Sequence, residues 1–371
     1  MSNIMKEFGD TLKNLPLVAL DNQAKLLFIS HFTRYLDDPV SVIVSGESGT
    51  GKTNLMAQIQ KFFAKDSYIE VTAMTAKAMA NLPKEIVINR KTLMCGELAG
   101  IKSEDGNYLL RQALSEGKVS RWVSVEGKAG EPNKTVTQTV EGKFNVFLTT
   151  TDREMHPEDE NRFFRINIPN DEEYINYVLH KQVELKNNPK KFEVDFSIWH
   201  TLSEKFLEDM IPVKINYMHN IVNNCKNKNK ARLVRDINKV ISLIKVHTIF
   251  NIEQREKDDE GNLLSTLDDY EVIYNILSEC FRSNERFISR DLEDIVNFTK
   301  DANKEGINSN QLVMGEVFNF KRSKISRLCK AAEELGLISN LSSNGVNSSY
   351  IFIKDYKNVD FFLPDPIEIA A

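Results

Sequence analysis

The chain has 371 residues, 41 % of them hydrophobic and 27 % charged, and its 48 basic and 53 acidic side chains leave a formal net charge of −5. That balance excludes intrinsic disorder as the main state and excludes a wholly basic, histone-like binder, while leaving room for nucleic-acid binding through a local basic face. No apolar run approaches the ~18 residues that a membrane span needs, and the start lacks the apolar core of a secretory signal, so a cytoplasmic protein with no membrane partner is expected.

Residues 1–38 read as mainly helical. Over Gln23–Leu36 the residues Leu26, Leu27, Ile29, Phe32 and Tyr35 form one broad apolar stripe, and Asp37-Asp38-Pro39 stops the helix. Val40–Val44 is short, β-branched and bounded by turn residues, the pattern of a buried strand. A glycine-rich octapeptide, Gly46-Glu47-Ser48-Gly49-Thr50-Gly51-Lys52-Thr53, follows, and a helix is expected from Asn54 to Ala64. Strands are expected again at Tyr68–Val71, Thr92–Cys95 and Asn145–Thr149, with helical patterns between them. The alternation argues for a parallel, three-layer α/β sheet over 39–170.

From about residue 171 long helical patterns dominate, at Asp171–Leu185, Val234–Phe250 and near Asp268–Phe281, with polar loops at Lys226–Lys230 and Glu256–Gly261. Residues 171–295 read as a helical subdomain packed on the α/β core. Residues 296–371 look separate. A short helix begins near Ile307–Leu312, with Ser309 or Asn308 as its N-cap. Phe318–Phe320 gives a turn, and Ser323–Glu334 is a second helix closed by Gly336. Leu337–Leu341 and Ser349–Ile353 are strand candidates joined by a turn-rich segment. Together these suggest a winged helix-turn-helix. The four cysteines, Cys95, Cys225, Cys280 and Cys329, form no CxxC pair, which suggests neither a zinc site nor a disulfide framework.

The octapeptide fits G-x-x-x-x-G-K-[ST] in the required context, between a buried strand and a helix. A phosphate chain must lie against bare backbone N–H groups at a helix N-terminus, and glycines permit that approach. Lys52 would meet the β- and γ-phosphates of ATP, and the Thr53 hydroxyl would ligate Mg²⁺. Hydrolysis further needs a carboxylate to activate water. Thr92–Glu97 closes a buried strand about 40 residues after the loop, which suits the second (Walker B) motif and makes Glu97 the candidate general base. Gly96 stands where an acidic residue usually precedes that glutamate, so metal coordination would rest on Thr53, phosphate oxygens and water, with help from Glu97.

Gly46–Thr53, Glu97 and the strand Asn145–Thr151, in this order, resemble the core of an AAA+ ATPase. Residues 97–165 narrow the likeness. Glu97-Leu-Ala-Gly-Ile-Lys102, the stretch Ser103–Glu116, Val125-Glu-Gly-Lys128-Ala-Gly130 and Asn161-Arg162-Phe163 resemble the minichromosome maintenance (MCM) helicases and the MCM-like ATPases of phages and mobile elements. The likeness covers about residues 40–170 well and 230–280 more loosely. It implies a three-layer P-loop core with a helical lid, a ring, and a hairpin before the strand that senses the nucleotide. By position it makes Arg162 the arginine finger, with asparagine in place of the family's serine before it; Arg165 is a rival in the same segment. It sets the sensor position within Thr149–Thr151, with Thr151 favoured, and makes Arg235, in Arg232-Leu-Val-Arg235, the sensor-2 arginine. The large N-terminal domain of full-length members has no counterpart in residues 1–38.

The hairpin is expected over Arg121–Gly142, with Lys128 and Lys134 flanking its tip; in a ring such lysines track phosphates of DNA. Lys321–Lys330 holds five basic residues and no acidic one. Ile325 and Leu328 can face inward while Lys321, Arg322, Lys324 and Arg327 face outward, as on a recognition helix positioned by phosphate contacts. The reading is a ring-forming, hexameric assembly of DNA-dependent ATPase subunits, a replicative helicase or replication initiator of a phage or mobile element, with room for a primase or initiator protein as partner. Two alternatives stand beside it. One is an ATP-binding switch or loader that hydrolyses weakly because of Gly96. The other is an AAA+ transcription regulator, against which stands the lack of a Gly-Ala-Phe-Thr-Gly-Ala loop.

Overall fold

The computed structural model describes residues 4–17, 19–73, 87–97, 111–125, 134–151, 161–170, 172–188, 194–226, 231–284, 290–307, 309–334, 336–341, 349–353 and 362–370. In chain order the strands of its first half are β1 (Ser41–Ser45), β2 (Tyr68–Ala73), β3 (Thr92–Glu97), β4 (Lys118–Val125), β5 (Lys134–Glu141), β6 (Asn145–Thr150) and β7 (Phe163–Asn167). Five of them form one parallel sheet in the order β2-β3-β6-β1-β7. The other two, β4 and β5, pair as an antiparallel hairpin from Lys118↔Glu141 to Val125↔Lys134.

Every residue of β1, β6 and β7 is buried. Such unbroken burial is what a parallel sheet covered on both faces requires. On one face Ile43, Leu93, Cys95, Val146 and Leu148 pack with Ala113 and Leu114 of the helical segment 111–116. Against the other lies α2 (Asp21–Phe32), in contact with β1 and β6. The single apolar stripe expected here understates its contacts. Gln23, Ala24 and every residue from Leu26 to Phe32 are buried, because the helix is enclosed by the sheet, α1 (Ile4–Leu12), α3 (Lys52–Gln60) and a long helix from the second half. Phe8 stacks on Phe28 at 4.0 Å between ring centroids and meets Phe62 edge-on at 4.7 Å, which fixes α1 to this layer. Strand β7 carries no alternation and was not expected from sequence.

The following helical part holds α4 (Glu172–Asn187), α5 (Ser197–Glu208), α6 (Met218–Asn224), α7 (Ala231–Phe250) and α8 (Leu267–Asn284), with the short strands β8 (Val213–Lys214) and β9 (Leu263–Leu264) pairing in parallel. A buried carboxylate joins α7 to α8. Asp269 accepts from Arg255 Nη2 and Nε at 2.7 and 2.9 Å and lies 2.6 Å from His247 Nδ1. These contacts hold the Asp269 carboxyl well below its usual range against the opposing cost of burial.

The chain divides into two compact units, 1–280 with 362–371, and 281–361. In the second, α9 (Arg290–Lys304), α10 (Gln311–Phe318) and α11 (Arg322–Glu334) enclose a core of Leu292, Ile295, Met314, Ile325 and Leu328, and β10 (Ile338–Asn340) pairs antiparallel with β11 (Tyr350–Phe352). The N-cap of α10 is Asn310, whose Oδ1 accepts from Leu312 N and Val313 N at 3.0 Å each. This corrects the expected Ser309 or Asn308: the Ser309 hydroxyl is spent on the Tyr350 carbonyl, and Asn308 lies outside the described residues. Asn319, at φ 53°, makes the left-handed turn that separates α10 from α11. A last short helix, α12 (Pro366–Ala370), belongs to the first unit. Among the described residues no helix is long and apolar enough to cross a membrane.

Candidate functional site

Parallel pairing brings the C-terminal ends of β1, β3 and β6 to one edge of the sheet, with β6 between the other two. The loop 46–51 leaves β1 at that edge and runs into α3. The helix begins at Lys52, two residues before the expected start, so Lys52 and Thr53 form its first turn. Gly49 and Gly51 take φ of +84° and +101°, the left-handed region in which a side chain is strained. At Gly46 the limit is space: a β-carbon would lie 3.0 Å from Thr50 Oγ1 and 3.4 Å from Ile168 Cβ.

Thr50 Oγ1 donates to Glu47 O at 2.9 Å, and Lys52 Nζ donates to Gly46 O and Glu47 O at 2.8 and 2.6 Å. The ammonium is therefore held within the curve of the loop on a buried side chain, while Glu47, Ser48, Gly49 and Thr53 are exposed. Left-handed glycines, a captive ammonium and the N–H groups of a helix start fit a phosphate chain. The exposed Thr53 hydroxyl in the first turn fits a hard cation at its edge.

Tyr174 was not singled out from sequence. It is the buried residue of α4, and its hydroxyl donates to Thr50 O at 3.1 Å. Burial pushes its phenol up to about 12, so it stays a neutral donor at physiological pH. Asn170 Nδ2 donates to Glu47 Oε2 at 2.6 Å, a second tie between the loop and the chain entering α4. Neither residue carries a motif; only packing reveals them.

Glu97 closes β3 opposite Ala73 of β2, and its side chain lies outside the described residues. A β-carbon on Gly96 would lie 3.0 Å from Thr72 O, so the backbone of β2 crowds the place of the usual acidic residue. The Thr149 hydroxyl donates to Gly96 O, and Thr150 O accepts from Gly46 N at 3.3 Å. Strand β6 thus ties the phosphate loop to the end of β3. Thr149 and Thr150 are buried, and Thr151 is exposed just past the strand.

The two rival arginines separate. Arg165 lies within β7, 7 % exposed, and its Nε donates to Ser45 Oγ at 3.1 Å, so it is committed to its own sheet. Arg162 is half-buried in the turn that precedes β7. Because β7 runs parallel to β1 with Phe163 opposite Ser41, Arg162 stands at the far edge of the sheet from the loop that follows Ser45. Five residues at roughly 3.3 Å each put about 16 Å between them. Arg235 is exposed on α7, one turn before Lys239, whose ammonium touches the backbone on both sides of Arg162, so it belongs to the Arg162 edge.

Lys128 lies outside the described residues, and Lys134 opens β5 opposite Val125, its side chain outside them too. On α11, Ile325 and Leu328 are buried while Arg322 and Arg327, with Lys321 just before the helix, are exposed. Lys324 departs from the expected outward face. Its ammonium lies 2.6 Å from Asp291 Oδ2 and 3.6 Å from the Phe320 ring centroid, because this position of α11 sits beside α9.

No protein-family model matches the sequence, and no curated protein matches it. Among solved structures the chain is similar to a proposed ATPase of Cytophaga hutchinsonii, at 14 % identity over 73 % of this chain and 85 % of that one, with a TM-score of 0.42. It is similar to a full-length MCM homologue from Methanopyrus kandleri, at 10 % identity, TM-score 0.43, over 76 % of this chain and 61 % of that one, so it spans about three fifths of that relative. It is also similar to SCCmec type IV Cch, described as an active helicase, at 12 % identity, TM-score 0.38, over 90 % and 66 %. These overlays are loose, and the chemistry rests on the residues above. What those residues define is an α/β P-loop core: a five-stranded parallel sheet, flanked by helices, with a glycine-rich loop between β1 and α3.

Proposed function

We propose that this chain is an AAA+-type ATPase that works as a ring on DNA, as a helicase or replication initiator of the kind carried by phages and mobile elements. The observation that carries the reading is the separation of parts across one sheet. The loop and Glu97 lie at the C-terminal edge, and Arg162 lies about 16 Å away at the opposite edge. An arginine there is out of reach of its own loop but available to the loop of a neighbouring copy. Arg165, the other candidate in this segment, is held inside the sheet.

Under this reading the loop N–H groups and Lys52 hold the triphosphate, and Thr53 holds Mg²⁺, which when bound neutralises phosphate charge. Glu97 takes the proton of the attacking water. Arg162 of the next copy meets the charge that develops as the terminal phosphoryl group departs. Thr149 and Thr150 keep β6 in register with both the loop and β3, so Thr151 stands at a fixed distance from each. The antiparallel hairpin β4–β5, inserted between β3 and β6 in sequence, supports a DNA-tracking element with Lys128 and Lys134 near its tip. Three helices and an antiparallel strand pair support a winged helix-turn-helix in 281–361, with Lys321, Arg322 and Arg327 facing outward.

A second reading is favoured by one observation. Gly96, held close under Thr72 O, puts no second metal-binding carboxylate beside Glu97, which suits a nucleotide-binding switch with slow turnover. Turnover measured across protein concentration, with and without single-stranded DNA, tests both. The ring ATPase shows a per-subunit rate that rises with concentration and with DNA. Arg162→Ala lowers kcat by on the order of 10³ while ATP binding persists, and Lys52→Ala abolishes binding. ATP binding with negligible turnover under all these conditions favours the switch. A rate independent of concentration, or an unaffected Arg162→Ala variant, sinks the shared site.

A further inference from the structure

Helix α7 carries a buried ion pair that the nucleotide chemistry leaves unused. Lys239 Nζ donates to Asn161 O at 3.0 Å, to Phe163 O at 3.1 Å and to Asp236 Oδ1 at 2.9 Å, on a side chain only 9 % exposed. The two carbonyls belong to the residues on either side of Arg162. One ammonium therefore pins the backbone before and after that arginine, and does so from a helix more than 70 residues downstream. Asp236 is oriented in turn by Arg232, whose Nε lies 3.2 Å from Oδ2, and the ammonium lies 4.9 Å from the Phe164 ring centroid.

An aliphatic side chain would fill this space without the cost of desolvating a charge. What only an ammonium supplies is three N–H directions, and all three are used. Burial holds the Lys239 pKa below the ordinary lysine range, Asp236 opposing. We infer that Lys239 is a positioning residue: it sets the direction in which Arg162 leaves the turn, and so couples the placement of α7 to the chemistry of the neighbouring copy. This rests on the reading of Arg162 as a residue that acts on the next subunit. Since Arg235 lies one turn away on the same helix, a shift of α7 would carry both arginines together.

Complementation between full-length variants tests it. A Lys239→Met assembly should bind ATP within about twofold of wild type, while kcat falls at least about tenfold, as expected of a misdirected finger. Its own loop is intact, so mixing it with Lys52→Ala, which has an intact Arg162 turn, should restore turnover. On the order of a quarter of the wild-type rate is expected, the share of randomly paired interfaces with both parts intact. Arg162→Ala mixed with Lys52→Ala is the reference. If that reference recovers and the Lys239→Met mixture does not, Lys239 serves only its own fold and the inference is overturned. If neither recovers, the shared-site reading fails and the inference with it. Should Lys239→Met melt early, the paired variant Asp236→Asn/Lys239→Gln removes both charges together and enters the same test with the same expected recovery.

Discussion

His31 lies under the sheet, fully buried, with its ring stacked on Phe63 at 3.6 Å. Its Nδ1 is 2.7 Å from Thr92 Oγ1 and its Nε2 is 3.2 Å from Ser67 Oγ. Thr92 donates to Asn145 Oδ1 at 2.7 Å, so the imidazole closes a polar chain across the first residues of β3 and β6. Burial first, and the Arg34 charge second, hold its pKa well below the usual imidazole value. The unfolded chain, near 6.5, therefore binds the proton more readily than the folded one. His31 contributes its full stability above about pH 6.5 and loses it as pH falls toward the depressed folded value. Thermal melts from pH 8 to pH 5 should show the advantage of wild type over His31→Gln shrinking below that point. An advantage that stays constant across this range contradicts the assignment. At this same scale Arg162 and Arg165 look alike in sequence, three residues apart in one apolar segment. Their difference lies in which one falls inside a strand, and β7 gave no alternation by which to tell.

Helix α11 shows how one amphipathic element divides its charges. Arg322 and Arg327 are exposed, whereas Lys324 is engaged by Asp291 and Phe320. If this face meets DNA, Arg322→Ala/Arg327→Ala should weaken binding across sequences and lower the salt slope of log K by about 2, one for each lost phosphate contact. Lys324→Ala should leave that slope unchanged and cost roughly 1 kcal/mol or less in a melt, since its pair is a third exposed. A slope that falls with Lys324→Ala would reverse the assignment. Other elements differ from their sequence patterns for reasons of the same kind. The stripe on α2 widened to nearly all-round burial because neighbours cover every side. The start of α3 moved to Lys52 because the loop itself turns into the first helical residues.

At the scale of the whole chain, the last residues return to the first unit. Phe362 O accepts from Lys226 N at 3.0 Å, Tyr270 donates to Pro364 O at 2.7 Å, and Leu363 and Ile369 are buried. The chain thus leaves the first unit near residue 280 and re-enters it at 362, and 281–361 is an insertion in that unit. Deleting 362–371 should destabilise the first unit by about 4 kcal/mol, from two buried aliphatic side chains at roughly 2 kcal/mol each. Tyr270 would also lose its acceptor. The cooperative melt of the nucleotide-binding unit should shift down, and ATP binding should weaken only through that shift. An unchanged melt would show that the return contributes nothing.

The strand, loop and helix around Gly46–Thr53 were legible because each demand is local: backbone freedom at glycine, a buried strand before, a helix start after. The parallel α/β class was legible for the same reason, since alternation of period and short β-branched runs are properties of neighbours in sequence. Tyr174 on Thr50, Thr149 on Gly96, the confinement of Arg165 and the grip of Lys239 on both sides of Arg162 were not. Each is a contact between residues far apart in sequence, made by one or two hydrogen bonds whose direction no periodicity encodes. The order β2-β3-β6-β1-β7 belongs with them, because which strands lie side by side is decided by how helices cover the sheet. The parallel pairing of β7 with β1 within that order is what puts the phosphate loop, after β1, and Arg162, before β7, at opposite edges.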